Sequence, residues 1–190
     1  MSTSCNEVSI VKKTIGEDRF DKLINQLKNE HTCLAHAANI PLTELENLHR
    51  LGQKYLLRHE YEQAERLMNM LVHLYPYAAV FWGTYGAVLQ CQKHYSQARS
   101  AYAVASELDS QCPDWYVYAA ECELMMQQPK FALDLIRPVF HMSFLSSGQR
   151  VEVLRRAQRI KTLAENTDFD PSTLLNTESD MQERLAQAIA

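Results

Sequence analysis

Residues 48–74, LHRLGQKYLLRHEYEQAERLMNMLVHL, superpose without a gap on residues 82–108, WGTYGAVLQCQKHYSQARSAYAVASEL, when moved 34 positions along the chain. The shift places Gly52 on Gly86, Leu51 on Tyr85, Ala64 on Ala98, Met68 on Tyr102 and Leu71 on Ala105. A second shift of 34 places Gly86 on Ala120, Ala98 on Ala132 and Tyr102 on Ile136. Three equal units with small and large residues in register describe one structural element made three times.

A period of 34 residues with W-x2-L-G-x2-Y, then A-x3-F, then P, is the tetratricopeptide pattern, in which each unit is a pair of antiparallel helices. The first unit supplies Leu48, Leu51, Gly52, Tyr55, Ala64, Met68 and Pro76, and the second Trp82, Tyr85, Gly86, Ala98 and Tyr102. The small residues let two helices approach, and the large ones fill the space between them. The expected fold is therefore all-α: three hairpins stacked as a short superhelix, at about 45–78, 79–112 and 113–146. The third unit departs from the pattern, with Ala120 in place of glycine and Pro138 inside its second helix, where it should kink or stop that helix.

Composition agrees with a helical reading. Glycine and proline are sparse, at 5 and 6 of 190 residues, and Leu, Ala, Glu, Gln, Lys and Arg abound. A chain of this length can bury about two-thirds of its unfolded surface in one domain. Its 19 basic and 23 acidic side chains give a net charge of −4, without the field that gathers nucleic acid or anionic lipid. No apolar run approaches the roughly 20 residues of a membrane span, and MSTSCNEVSIVKK carries no signal-peptide core. A cytoplasmic location is expected, with neither nucleic acid nor membrane as partner. The five cysteines, Cys5, Cys33, Cys91, Cys112 and Cys122, are odd in number and lack C-x-x-C spacing, so reduced and mostly buried thiols are expected.

The flanks read separately. Residues 1–43 form an N-terminal helical segment, in which Phe20, Leu23, Ile24 and Leu27 make an amphipathic stripe that would serve as a dimerisation face, with a short helical piece around 33–39. Pro41 with Thr43 and Glu46, and Ser146 with Gln149, read as capping boxes. Val151, Leu154, Ala157, Ile160 and Leu163 read as the apolar stripe of a capping helix over 147–165, which closes the stack. Residues 166–190 read as a flexible tail with a short helix from Asp180 to Ile189.

No catalytic motif is present: neither a nucleophile elbow, a phosphate-cradling glycine loop nor a zinc-protease signature occurs. The chain is read as a non-enzyme without cofactor or metal. His31, Cys33 and His36 are close in sequence but lack a fourth ligand, and Arg150, Arg155, Arg156, Arg159 and Lys161 scatter around a helix as a solvated face. Function is sought on the concave face that the first helices of stacked hairpins line. By the 34-residue register its candidates are His49, Gln53, Leu56, Leu57 and Tyr61, then Val80, Gly83, Ala87 and Gln90, then Val117, Glu121, Leu124 and Met125, with Glu46, Cys91 and Asp114 beside them. The apolar members can form pockets, and Gln53, Gln90 and Glu121 can bond the backbone of an extended peptide.

Residues 48–74, GTYGAVLQCQKHYSQARSAYAVASELD and PDWYVYAAECELMMQQ, together with NIPLTELENL, resemble the class II chaperones of bacterial type III secretion systems. The likeness covers roughly residues 18–165. It implies a cytoplasmic chaperone that holds an extended segment of a hydrophobic, pore-forming translocator in the concave groove without ATP. It also implies a homodimer through the N-terminal helices, and the family sometimes assists a transcription activator. Where the family presents aromatic residues on its first helix, this chain has His49, Gln53 and Leu56. The alternative is a tetratricopeptide scaffold or regulatory adaptor that binds folded partners.

Overall fold

The computed structural model describes residues 33–142 and 147–166. A short helix, α1 (Leu34–Ala37), precedes three hairpins: α2 (Leu42–Leu57) with α3 (Tyr61–Leu74), α4 (Ala79–Cys91) with α5 (Tyr95–Leu108), and α6 (Pro113–Met125) with α7 (Pro129–Ile136). A 3-10 turn (Pro138–His141) leads to the closing helix α8 (Ser147–Glu165). From α2 onward each helix packs on the next, α1 lies on α3, and α8 lies on both α6 and α7. The described residues are thus an all-α stack of three tetratricopeptide hairpins with a capping helix. The proposed dimerisation face Phe20, Leu23, Ile24 and Leu27, the ligand candidate His31 and the tail beyond Asn166 lie outside the described residues.

The hairpins repeat down to their backbone hydrogen bonds. His59, Lys93 and Gln127, spaced 34 apart, all adopt left-handed backbone, with φ of 60°, 64° and 59°. After each, an N–H reaches back to the first helix: Glu60 to the Tyr55 carbonyl (2.9 Å), His94 to Leu89 (2.8 Å) and Gln128 to Glu123 (2.8 Å). The left-handed residue's own N–H bonds the carbonyl of Leu56, Gln90 or Leu124. This is the Schellman ending of an α-helix, which satisfies carbonyls left open in the last turn and reverses the chain.

Inside each hairpin a small residue faces a large one. A Cβ added at Gly86 would stand 2.8 Å from the Tyr102 ring, and one at Gly52 would overlap the Met68 side chain. In the third hairpin Ala120 and Ile136 occupy the same buried cluster. The Pro138 expectation holds: α7 ends at Ile136, and the chain continues as a 3-10 turn beginning at Pro138.

Two local expectations are corrected. At the start of α2 no capping box forms, because Pro41 is the residue that caps the helix, it makes no side-chain bond, and Thr43 already lies inside the helix and exposed. In α8 the buried face is Val153, Ala157 and Ile160, whereas Val151 is 58% exposed. A run spaced by threes, such as 151-154-157-160, drifts steadily around a helix of 3.6 residues per turn. Alternating steps of four and three hold one face.

Left-handed backbone is costly for residues with a side chain. Lys93→Gly and Gln127→Gly, both at exposed positions, are each expected to raise the unfolding free energy by about 0.5–1 kcal/mol, additively because the turns are far apart. Urea unfolding at constant m-value checks this, and an unchanged or lowered midpoint would contradict it.

Candidate peptide-binding face

The first helices are direct neighbours. On α2, His49 Nε2 shares a 2.8 Å hydrogen bond with the Thr84 hydroxyl of α4, and its ring lies 5.1 Å from that of Phe81. Between α4 and α6, Gly83 is covered by the Trp115 ring so closely that a Cβ there would overlap it. The Trp115 ring of α6 can seat against α4 only because residue 83 has no side chain.

The expected inward residues divide into two sets. His49, Leu56, Gly83, Ala87, Gln90, Val117, Glu121 and Leu124 are buried, while Gln53, Leu57, Tyr61 and Met125 are half-buried and Val80 is 46% exposed. The half-exposed set presents two aliphatic side chains, a thioether, an amide and a phenol on consecutive hairpins. Tyr61 is held by its hydroxyl, 2.8 Å from His59 Nδ1. The buried polar members bond within the protein: Gln90 Oε1 accepts from the Tyr102 hydroxyl at 2.9 Å, and Glu121 accepts from Arg156 at 2.9 Å.

The sequence expectation of a solvated face does not hold for Arg156 of α8. Its side chain is only 13% exposed and reaches α6, where it also donates to Asp114 at 3.1 Å. Its guanidinium lies 4.4 Å from the centroid of the Tyr118 ring, and that ring stacks on Tyr102 at 5.3 Å and 21°. Gln90, Tyr102, Tyr118, Arg156, Glu121 and Asp114 thus form one connected set from the middle hairpin to the capping helix. By contrast Arg155 is exposed and pairs with Glu152 on its own helix.

Burial alone would favour a neutral Arg156, but Glu121, Tyr118 and Asp114 outweigh it and hold the guanidinium charged. Burial keeps the Tyr102 phenol protonated, as a donor should be. The Arg156 role had a readable trace: Asp114 and Glu121, seven residues or two turns apart on a largely apolar helix, call for a facing cation. Cys33, Cys91 and Cys122 are buried thiols and Cys112 is half-buried, its thiol pushed up to about 11 mainly by burial. Among the described residues no group of three or more His, Cys, Asp and Glu could hold a metal ion, and no helix is long and apolar enough to cross a membrane.

Known structures share this architecture. The chain superposes on PcrH from Pseudomonas aeruginosa with a TM-score of 0.61 at 21% identity, over 67% of this chain and 96% of that one. It superposes on the Yersinia enterocolitica type III secretion chaperone SycD, solved in complex with a peptide of the translocator YopD, with a TM-score of 0.58 at 23% identity, over 65% and 93%. Against the CopN-Scc3 complex the TM-score is 0.60 at 25% identity, over 71% and 85%. No family model matches the sequence, and no curated protein does. The chain has the fold of the type III secretion chaperones.

His49 gives the face a pH signature. Burial, with a smaller contribution from Arg50, lowers its pKa from 6.5 to about 4. The unfolded chain therefore takes up the proton first, so this stabilisation is complete above about pH 6.5 and is lost as pH falls toward 4. Between pH 7 and 4.5 that loss is about 2 kcal/mol. In a His49→Gln variant the acid-induced fall in unfolding free energy is expected to shrink by that amount, and an unaltered pH slope would contradict the assignment.

Proposed function

We propose that this protein is a cytoplasmic chaperone of a bacterial type III secretion system, holding an extended segment of a hydrophobic translocator against the first helices of its three hairpins. The observation that carries the reading is the half-exposed set Gln53, Leu57, Val80 and Met125, displayed by adjacent helices in the fold in which SycD is seen with a YopD peptide. Buried residues lie behind this set, so a peptide would meet a formed surface. Pore-forming proteins carry large apolar segments that aggregate when exposed. A binder that covers one segment keeps such a client soluble and unfolded, ready for a narrow channel. An extended client loses conformational freedom on binding, so affinity rests on a few anchor contacts. The work is binding alone, without cofactor or metal.

Co-expression with a hydrophobic translocator from the same operon tests the reading. The unaltered chaperone should yield a soluble complex. Leu57→Glu and Val80→Glu are each expected to weaken it by about ten- to thirty-fold, equal to about 1–2 kcal/mol per anchor, while far-ultraviolet circular dichroism stays unchanged. A client equally soluble without the chaperone, or a complex indifferent to both charges, would reject it in favour of a scaffold for folded partners.

A further inference from the structure

Of the three carboxylates on the first helix of the third hairpin, Glu123 pairs with Arg99 of the second hairpin at 3.3 Å, and the other two converge on one cation. Glu121, with a side chain only 5% exposed, and Asp114, 37% exposed, both meet the single guanidinium of Arg156. That arginine comes from α8, which follows the repeats. Its side chain is fixed from a second direction by the Tyr118 ring beneath it. A charge pair sequestered in this way adds little net stability, yet removing one partner leaves an uncompensated charge in a medium that screens poorly. The sequestration therefore has its main consequence for what the neighbouring surface attracts.

We infer that Arg156 is a specificity-determining residue of the peptide-binding face: by neutralising Glu121 and partly offsetting Asp114 from the capping helix, it makes the third-hairpin end select an uncharged, apolar client segment instead of a basic one. This rests on the peptide-binding reading given above and specifies its client chemistry. Beside the pair the half-buried Met125 is the side chain that an aliphatic client residue can reach once the carboxylates are occupied, while Val117 and Leu124 lie fully buried behind it. Without Arg156 the same site would present one buried and one half-exposed anion, and a client lysine or arginine would supply the missing cation.

The full-length chain and three variants are panned against a displayed library of random 12-residue peptides, and the net charge of enriched peptides is read. Wild type is expected to enrich neutral apolar peptides. Arg156→Gln should shift enrichment toward peptides containing Lys or Arg, with at least tenfold over-representation. The triple variant Arg156→Gln, Glu121→Gln and Asp114→Asn, which removes all three charges of the cluster, should return to neutral peptides, and Arg156→Lys should stay close to wild type. A merely structural role would lower enrichment without changing its charge, so peptides enriched on Arg156→Gln with wild-type charge overturn the inference alone. If the single variant unfolds, the triple variant still decides, because basic peptides enriched on it would also overturn the inference. Failure of every version to enrich any peptide would reject the peptide-binding reading together with this extension.

Discussion

Tyr102 lies against a residue without a side chain, and the separation of the two helices in the central hairpin follows from that contact. A single methyl group at Gly86 would come within 2.8 Å of the ring. The ring is held in place, because its hydroxyl is bonded to Gln90 and the ring stacks on Tyr118. The first hairpin uses Gly52 against the more pliable Met68, and the third uses Ala120 with the smaller Ile136. Each pairing keeps the summed volume near what the gap accepts, as close-packed interiors demand. Burying each large partner contributes about 1.5–3 kcal/mol. Its larger effect is geometric, since the hairpin spacing sets where the outer faces of α2, α4 and α6 stand.

Between hairpins, polar contacts supply register. His49 with Thr84 joins the first to the second, and Arg156 with Glu121 and Asp114 joins the third to the capping helix. Such buried pairs add modest net stability, but each would leave an unpaired group if neighbouring hairpins slipped. Apolar contact is tolerant of small shifts, while hydrogen bonds are not. The result is a firm floor carrying a few adaptable side chains at its surface, an arrangement suited to gripping an unstructured chain.

Most of the architecture was legible because repetition multiplies a weak local signal. Small residues at 52, 64, 86 and 98 identified the hairpins, and Pro138 marked the end of α7. The hairpin turns were silent, since His59, Lys93 and Gln127 adopt a left-handed backbone that glycine or asparagine would have advertised. Thr43 and Glu46 have the spacing of a capping box, but helix α2 begins one residue after Pro41, whose fixed φ already suits that position. In α8, spacing by threes pointed to Val151 where packing selects Val153. The repeat register proposes the inward positions. Which of them stay half-exposed depends on long-range partners, such as Trp115 over Gly83 and Arg156 on Glu121; the spacing of Asp114 and Glu121 calls for a cation without telling which residue supplies it.

The account stands on which surface of the stack meets the client. A photo-crosslinking amino acid placed at Leu57 or Val80, on first helices, can be compared with one at Val104 or Phe131, exposed on second helices at 36% and 60%. In the co-expressed complex, positions 57 and 80 should capture the translocator through one short segment of its sequence, while 104 and 131 capture little or none. Efficient capture from 104 and 131 with none from 57 and 80 would contradict the account.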